Sequence, residues 1–278
     1  MYKIVEKVRL NETVDKMVIE APFVARKCEP GQFIILRVEE NSERVPLTIT
    51  DYDREKKTVT IIYQKVGYST KLLGTKSAGD YVNDFAGPLG KPAKLEKHKR
   101  VLGIGGGVGA APLYPQMKKL HEMGVKVDVI VGARNSDYLI LEKEFSDITE
   151  NLYFATDDGS KGNKGFVTDI LKMLLEKGEV YDEIVAIGPV VMMRGVVNIT
   201  KPLNIPTSVS LNPIMIDGTG MCGGCRVLVG GETKFACVDG PDFDGLKVDF
   251  EMLMKRQSMF KEEEKNHVCN IGLEEGHR

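Results

Sequence analysis

The first third of the chain alternates apolar and polar positions in short runs separated by glycine and proline. These runs are KIVEKVRL, QFIILRVEE, VPLTITDYD and TVTIIYQKV. A period of two residues indicates strands with one buried face, and frequent turns indicate antiparallel pairing. The pattern therefore predicts an antiparallel barrel or sandwich over residues 1–97.

After residue 100 the pattern changes to apolar strands that alternate with amphipathic helices. The strand candidates are VLGIG, KVDVIVG, NLYFAT and EIVAIG, and the helix candidates are APLYPQMKKLHEMG, VTDILKMLLEKG and VVMMRGVVNIT. Strand and helix in turn favour a doubly wound parallel sheet. We expect this α/β domain to occupy residues 98–206.

Two further segments complete the predicted organisation. The run KPAKLEKHKR, residues 91–100, is basic with little to bury, and it is predicted to be a solvated linker. A glycine-rich module with cysteines follows the α/β domain, and the charged tail FEMLMKRQSMFKEEEKNHVCN is predicted to be a helix. The glycine-rich segment and the charged tail together form a small C-terminal module over residues 207–278.

Composition and charge narrow the function classes. A chain of 278 residues fits two domains plus a small module, and a net charge of -2 gives no field that attracts nucleic acid. The chain shows neither a signal-peptide core nor eighteen consecutive apolar residues, so we expect a cytoplasmic protein. Three of the five cysteines lie within sixteen residues, which favours metal binding over a disulfide framework.

The cysteines lie in the run DGTGMCGGCRV, which begins at Asp217. Asp217, Cys222, Cys225 and Cys237 are separated by four, two and eleven residues. The first two intervals are those of a plant-type two-iron ferredoxin, with aspartate at the first position. Glycine allows backbone to approach an iron–sulfur core closely, and a carboxylate can bind iron in place of a thiolate. Asp217 is therefore the candidate fourth ligand.

Simpler interpretations of the module stay open at this point. A structural zinc also favours two residues between cysteines, but the nearest C-terminal histidine, His267, lies thirty residues beyond Cys237. Asp217 could be only a turn former before glycine, with water as the fourth ligand. Cys28 and Cys269 have no partner spacing and are expected to be free thiols.

A second glycine-rich run is VLGIGGGVGAAPLYPQMKKL, residues 101–120. A buried strand that ends in glycines and continues into a helix offers backbone amides and a helix dipole to a diphosphate. The fit to a dinucleotide fingerprint is loose, and the next strand ends at Arg134 without an acidic residue, so NADP is not excluded. The alternative is a glycine turn that serves only strand-to-helix packing.

Three segments of the barrel region carry phosphate-binding residue types. ERVPLTI, KVGYSTKLLG and FAGPLG are interpreted as strand ends and turns with an arginine, hydroxyls and small residues. Arg44–Thr48 resembles the flavin motif of the ferredoxin-NADP reductase superfamily, and Gly67–Thr70 resembles its second FAD segment. Gly105–Pro112 is similar to its nicotinamide-nucleotide loop.

The order of barrel, nucleotide domain and cysteine module resembles two families of subunits. One is the electron-transfer subunit of dihydroorotate dehydrogenase. The other is the small (alpha) subunit of NADH-dependent ferredoxin:NADP oxidoreductase, also called the sulfide dehydrogenase beta subunit. The dihydroorotate family has cysteine at the position of Asp217, so the sequence is more similar to the second family.

The resemblance implies a site residue by residue. It implies an FAD site in which Arg44 and the second segment face phosphate and the others face the flavin ring: Arg44, Pro46, Leu47, Thr48, Gly67, Ser69 and Thr70. It implies an NAD(H) site at Gly105, Gly106, Gly107, Gly109, Asp157, Asp158, Gly188 and Met192, with Pro189 and Met193 beside the nicotinamide. A 2Fe-2S cluster would bind to Asp217, Cys222, Cys225 and Cys237, and no catalytic acid or nucleophile is needed.

The function implied by the resemblance is an electron relay. Hydride from NADH would reach FAD, and single electrons would pass through the cluster to or from a larger flavin and iron–sulfur subunit in a heterodimer. That complex would couple NADH, NADP(H) and ferredoxin by electron bifurcation. The alternatives are an electron-transfer subunit of dihydroorotate dehydrogenase and, outside enzymes, a zinc-stabilised nucleotide-binding module.

Overall fold

The computed structural model describes residues 1–259. The last part of the predicted tail helix, with His267 and Cys269, lies outside the described residues. None of the helices within residues 1–259 is long and apolar enough to cross a membrane.

The N-terminal unit is a seven-stranded antiparallel sheet. Its strands are β1 (Tyr2–Arg9), β2 (Val14–Glu20), β3 (Phe33–Arg37), β4 (Arg44–Asp53), β5 (Thr58–Gln64), β6 (Tyr81–Val82) and β7 (Asp84–Leu89). Their order is β6-β1-β2-β5-β4-β3-β7. The two edge strands are separated in the chain by Asn83 alone, so the sheet curls into a nearly closed barrel. This confirms the predicted antiparallel barrel.

Two helices accompany the barrel: α1 (Pro22–Lys27) and α2 (Tyr68–Thr75). The expectation of turns over KVGYSTKLLG was wrong, because most of that run forms α2. The Thr70 hydroxyl accepts hydrogen bonds from the backbone amides of Val66 at 3.1 Å and Gly67 at 3.2 Å. These bonds satisfy donors that the first helical turn leaves open, and they begin the helix immediately after Gly67.

The second unit is a seven-stranded, mostly parallel sheet flanked by helices. Its strands are β8 (Arg100–Gly106), β9 (Lys126–Ala133), β10 (Asn151–Thr156), β11 (Asn163–Lys164), β12 (Glu183–Ile187), β13 (Thr207–Ser210) and β16 (Asp242–Asp244). Its helices are α3 (Ala110–Glu122), α4 (Glu142–Ser146), α5 (Val167–Glu176) and α6 (Val190–Thr200). The predicted doubly wound sheet is confirmed.

The strand order is β11-β10-β9-β8-β12-β13-β16, with only β16 antiparallel to its neighbour. The chain moves outward from β8 in one direction through β9 and β10, and then in the other direction through β12 and β13. This reversal places a crevice outside the carboxyl ends of β8 and β12. Ligands of open α/β sheets bind at such a point.

The C-terminal segment contains the hairpin β14 (Arg226–Val229) and β15 (Glu232–Phe235), the short helix α7 (Ala236–Asp239), and α8 (Phe250–Gln257). Helix α8 is the described part of the predicted tail helix. β13 lies within the predicted C-terminal module but pairs with β12, and β16 extends the same sheet. The domain limits at 97 and 206 stay predictions.

The predicted linker has no regular structure over residues 91–98. Its course is nevertheless fixed, since the Lys91 amide donates to the Gly240 carbonyl at 2.6 Å and the Ala93 amide donates to the Pro30 carbonyl at 2.8 Å. Arg100, at the end of the basic run, begins β8 and forms ion pairs with Asp128 and Glu179. That arginine is a structural residue and not part of a solvated linker.

Candidate functional site

A cavity of about 1060 Å³ opens between the barrel and the parallel sheet. Its walls come from β4 and α2 on the barrel side, and from the turns after β8 and β12 on the other side. It therefore occupies the crevice that the strand order produces. Its volume lies at the upper end of the range for small-molecule sites, so it has room for an extended ligand.

The predicted flavin residues divide between the cavity and its surroundings. Pro46, Leu47, Thr48 and Thr70 line the cavity. The Ser69 hydroxyl instead donates to the Glu43 carboxylate at 3.3 Å, and this side chain is buried. Gly67 is at the start of α2, and Arg44 is exposed at the start of β4. Both lie outside the lining, so their assignment stays a prediction.

The glycines after β8 and β12 pack backbone against backbone. A methyl group at Gly109 would lie 2.3 Å from the Ile187 carbonyl oxygen, and one at Gly188 would lie 3.1 Å from the Gly106 Cα. Because no side chain fits between them, the two turns cross at contact distance. Gly106, Gly107, Gly109 and Gly188 line the cavity, whereas Gly105 is buried behind it and packs on Ala110.

The methionines after β12 have different environments. Met192 lines the cavity beside Gly106, because a methyl group at Gly106 would lie 2.4 Å from the Met192 sulfur. Met193 is fully buried in the core of the α/β unit. The expectation that Met193 lies beside the nicotinamide was wrong, because it lies on the core face of α6.

The outer end of the cavity carries charged groups. Arg134 follows β9 and Asp157 follows β10, and both line the cavity while being exposed. Asp158 does not line it. Its carboxylate accepts from the hydroxyl of Ser160 at 2.7 Å and from the amide of Ser160 at 2.9 Å, and these hydrogen bonds lower the Asp158 pKa. Of the predicted acidic pair, only Asp157 is positioned to meet a ligand in this cavity.

The segment between β13 and the cysteine loop supplies cavity residues that sequence reasoning missed. They are Leu211, Asn212, Pro213 and Met215, together with Pro241. No residue-type pattern identifies them, because they carry no phosphate-binding or redox chemistry of their own. They reach the cavity because β13 is adjacent to β12 and ends at the same edge of the sheet.

Asp217 organises the cysteine loop through backbone hydrogen bonds. One carboxylate oxygen accepts from the Thr219 amide, and the other accepts from the amides of Met221 and Cys222, each at 3.0 Å. The bonds from Thr219 and Cys222 are the main causes that lower the pKa of Asp217. The carboxylate is therefore ionised at neutral pH, which suits both a turn former and a metal ligand.

The cysteine sulfurs lie at two depths. The Cys225 and Cys237 sulfurs are buried and 3.2 Å apart, whereas Cys222 is exposed and its sulfur accepts from the Gly224 amide at 3.4 Å. Burial, and then the adjacent Cys225, raises the Cys237 pKa to about 12. Metal binding would have to displace that proton. Within residues 1–259, no three His, Cys, Asp or Glu side chains are grouped to hold a single ion.

The cysteine loop packs directly on the barrel. A methyl group at Gly218 would lie 2.6 Å from Ile35 Cδ1 on β3 and 2.9 Å from Leu89 Cδ1 on β7. In the β3–β4 register, Ile35 pairs with Pro46, which lines the cavity. Only one side chain and one strand pairing therefore separate the start of the cysteine loop from the cavity wall.

Two family models match the chain. Residues 104–198 match an oxidoreductase NAD-binding domain. Residues 212–249 match the iron-sulfur cluster binding domain of dihydroorotate dehydrogenase B, and this range contains Asp217 and the three clustered cysteines.

Similar proteins extend the comparison over nearly the whole chain. An uncharacterized protein of Clostridium beijerinckii is 53% identical over 99% of this chain and 95% of its own length. A Thermotoga maritima homolog of the dihydroorotate dehydrogenase B electron transfer subunit is 45% identical over 95% of this chain and 93% of its own length. A solved structure of the NADH-dependent reduced ferredoxin-NADP oxidoreductase, described for flavin-based electron bifurcation, is 43% identical, has a TM-score of 0.92 and covers 98% of each chain.

These comparisons confirm the predicted cofactor domains. The nucleotide unit is an NAD-binding domain of the oxidoreductase type, and the cysteine module is an iron–sulfur module on a flavin-reductase fold. The zinc interpretation is not supported, because the matching domain binds an iron–sulfur cluster. The glycine turn after β8 lies within the matched NAD-binding domain, which favours nucleotide binding there over a role in packing alone, and the assignment of its residues stays a prediction.

Proposed function

Because the chain belongs to the family of dihydroorotate dehydrogenase B electron-transfer subunits and their homologs, we propose that it passes electrons between NAD(H) and a larger partner subunit through FAD and a 2Fe-2S cluster. The observation that carries this proposal is the packing of the cysteine loop on Ile35, whose strand partner Pro46 lines the cavity. Electron transfer requires such proximity between the two redox groups.

We assign the barrel side of the cavity to FAD. Pro46 and Leu47 give the flavin ring an apolar wall, and Thr48 places a hydroxyl-bearing side chain at its edge. The first turn of α2, with Gly67 and Thr70, suits a diphosphate because the positive end of the helix dipole favours an anion there. When bound, the flavin supplies the conversion between hydride transfer and one-electron transfer.

We assign the opposite side of the cavity to NAD(H). The crossing of the Gly109 and Gly188 turns leaves bare backbone at the start of α3, where a diphosphate can approach closely. Met192 and Pro189 provide an apolar surface that keeps water from a nicotinamide ring held toward the flavin. Asp157 is positioned for a ribose hydroxyl, whereas Arg134 on the same rim keeps a 2′-phosphate chemically feasible.

The predicted cluster ligands are arranged in two pairs. Cys225 and Cys237 form the buried pair, and Asp217 contacts the Cys222 amide in the outer part of the loop. A two-iron cluster needs two ligands on each iron, so this division suits it better than a single ion. We propose that Cys225 and Cys237 hold the inner iron and that Asp217 and Cys222 hold the outer one.

The outer rim of the loop supports docking of a partner subunit. Ile216 is 56% exposed and Met221 is 88% exposed, and both flank the ligand positions. Exposed apolar side chains on one loop can form part of a surface that another protein covers. We propose that the larger subunit docks here to form a heterodimer, and that ferredoxin and NADP(H) react on that subunit.

A cytoplasmic location is also a proposal. The cysteines of residues 1–259 are free thiols, and free clustered thiols are typical of a reducing compartment. A fractionation experiment in the source organism would test it.

The alternative partner is a dihydroorotate dehydrogenase catalytic subunit, which the match over residues 212–249 favours. An aspartate ligand at position 217 would disfavour this alternative, because the resembling dihydroorotate family has cysteine there. Mixing the purified chain with each catalytic subunit discriminates the two. NADH-dependent orotate reduction would support the alternative, whereas NADP reduction coupled to the oxidation of both NADH and reduced ferredoxin would support the proposed bifurcating complex.

The proposed cluster is tested by iron content after anaerobic purification. Cys225→Ser should lose most of the bound iron, because the pair with Cys237 is broken. Cys28→Ser is the matched control, since Cys28 is equally buried but lies in the barrel core. Equal iron content in both variants would contradict the assignment.

A further inference from the structure

Helix α8 places its last turn over the cysteine loop. The Asp249 carboxylate accepts from the Met252 amide at 2.9 Å and so caps the start of the helix, while Leu253 is buried in the core. At the other end, the Gln257 side-chain amide donates to the Asn212 carbonyl at 3.1 Å. These contacts fix the helix relative to the loop and leave Arg256 facing it.

Arg256 contacts the loop between two proposed ligands. Its Nη2 donates to the Gly224 carbonyl oxygen at 3.0 Å. The Gly224 amide in turn donates to the Cys222 sulfur at 3.4 Å, and Cys225 follows directly in the chain. The same glycine therefore joins the guanidinium to a ligand sulfur.

Within residues 1–259, no neighbouring carboxylate neutralises the positive charge of Arg256. No Asp or Glu oxygen in the described part of the chain lies within ion-pair distance of Arg256. Its Nε is buried and has no hydrogen-bond partner among residues 1–259. A guanidinium is charged at every working pH, so a permanent cation with a spare donor is held against the loop.

Charge near an iron–sulfur cluster acts on its reduction potential. Reduction adds one electron and therefore one negative charge, without breaking or forming a bond. A fixed cation lowers the energy of the more negative state more than that of the oxidised state, and the effect is strongest where water is excluded. Hydrogen bonds and charge around the ligands are the means by which a protein sets this potential.

We propose that Arg256 is a tuning residue that raises the reduction potential of the cluster and so makes it a better acceptor of electrons from the flavin. This inference rests on the proposed function, because it requires the cluster. Arg256 touches the loop backbone and not the reacting groups, so its role is electrostatic and positional.

The test is a redox titration of the anaerobically purified holoprotein, followed by electron paramagnetic resonance with iron content measured in parallel. Arg256→Gln removes the charge. At the midpoint potential of the wild-type protein, the ratio of oxidised to reduced cluster in this variant should be about tenfold higher than in the wild-type protein. For a one-electron couple this equals a shift of about 59 mV to lower potential. Arg256→Lys keeps the charge and should shift much less. Lys255→Gln, an exposed neighbour on α8, is the control and should not shift.

Each possible result of this titration either supports or overturns the tuning proposal. A midpoint in Arg256→Gln equal to that in Lys255→Gln, at full iron content, overturns the proposal. If Arg256→Gln loses iron, Arg256→Lys decides. If Arg256→Lys keeps full iron content and the same midpoint as the wild-type protein, the result supports tuning by charge. If Arg256→Lys loses iron or its midpoint shifts strongly, the guanidinium group only holds the loop in place. Failure of the proposed function is distinct, because the wild-type protein would then itself lack iron.

Discussion

Asp217 is the single residue on which the choice between the two subunit families depends. Its carboxylate accepts hydrogen bonds from three backbone amides of its own loop. This arrangement of the loop fits a metal ligand as well as a turn former. The two roles differ in whether the electronic structure of the cluster changes when the residue is replaced.

Asp217→Cys is expected to retain the cluster but change its visible and paramagnetic spectra, because a soft thiolate then replaces a hard carboxylate on iron. Anaerobic absorption and electron paramagnetic resonance of the two proteins measure this. Coinciding spectra for the variant and the wild-type protein would contradict ligation of iron by Asp217.

Asp242 is the residue for which a pH effect on stability is expected. Its Oδ2 accepts from the Gln116 side-chain amide at 2.9 Å, but its buried Oδ1 has no partner among residues 1–259. Burial raises the pKa of Asp242 to about 6, and the charge of Glu183 adds to this. The pKa of Asp242 is higher in the folded protein than in the unfolded chain. The contribution of protonated Asp242 to the free energy of unfolding is therefore fully present below about pH 4 and is lost as pH rises through 6.

Asp242→Asn removes this titration, so its melting temperature should exceed that of the wild-type protein increasingly from pH 4.5 to pH 8. The difference in unfolding free energy corresponds to up to about 3 kcal/mol at 1.36 kcal/mol per pKa unit. Thermal unfolding across this pH range measures it. Asp244→Asn, on the exposed end of β16, is the control, and a difference between Asp242→Asn and wild type that is independent of pH would contradict the account.

At the scale of elements, the crossing of two strand-to-helix turns forms the side of the cavity that we assign to the nucleotide. Gly109→Ala would force the turn after β8 away from the Ile187 carbonyl, which lies 2.3 Å from the added methyl group. We expect a loss of roughly 1–3 kcal/mol in stability and weaker NADH binding. Thermal unfolding and titration with NADH measure the two effects.

Gly67→Ala is the matched control for that substitution. Its added methyl group meets no atom within 4 Å, and Gly67 has an ordinary negative φ of -109°. In the FAD-free protein, its melting temperature should stay near the wild-type value. Equal melting temperatures for the two variants would show that the turn crossing is not tightly packed.

Elements with a clear period could be predicted from the sequence. The alternation in β4 and β5, and the strand–helix repeat from β8 to α6, gave the two main sheets because each period reports which face is buried. Helix α2 was missed because it is short and begins through the Thr70 cap rather than a long apolar stripe.

The site could be predicted only where its chemistry is local in sequence. Cys222 and Cys225 indicate the cluster module by their spacing, and the glycines after β8 lie within the NAD-binding domain that they predicted. Met215 and Arg256 could not be found in this way. Met215 reaches the cavity through strand order, and Arg256 reaches Gly224 across 32 positions of the chain.

At the scale of the whole molecule, one apolar core joins the proposed redox sites. Phe33 and Ile35 of the barrel, Ile104 of the parallel sheet, and Cys225 and Cys237 belong to the same buried cluster of side chains. A continuous, water-excluding core between the cavity and the cysteine loop suits electron transfer over a short distance. The chain is thus built to hold its redox groups together before any partner binds.

The isolated chain should reduce artificial dyes with NADH but should not carry out the coupled reaction, because the proposed complex places the second half of the redox path on the larger subunit. Dye reduction and ferredoxin-dependent NADPH formation are measured on the purified chain. Vigorous ferredoxin-dependent NADPH formation without a partner would contradict this division of roles.

The central claim is that this chain carries electrons from NADH to its own iron–sulfur cluster. Its most direct test is to add NADH to the anaerobically purified holoprotein and record the electron paramagnetic resonance spectrum. The account predicts that NADH generates the signal of a reduced 2Fe-2S cluster, with FAD and iron present in the same preparation. A protein that holds zinc, or a cluster that dithionite reduces and NADH does not, would contradict it.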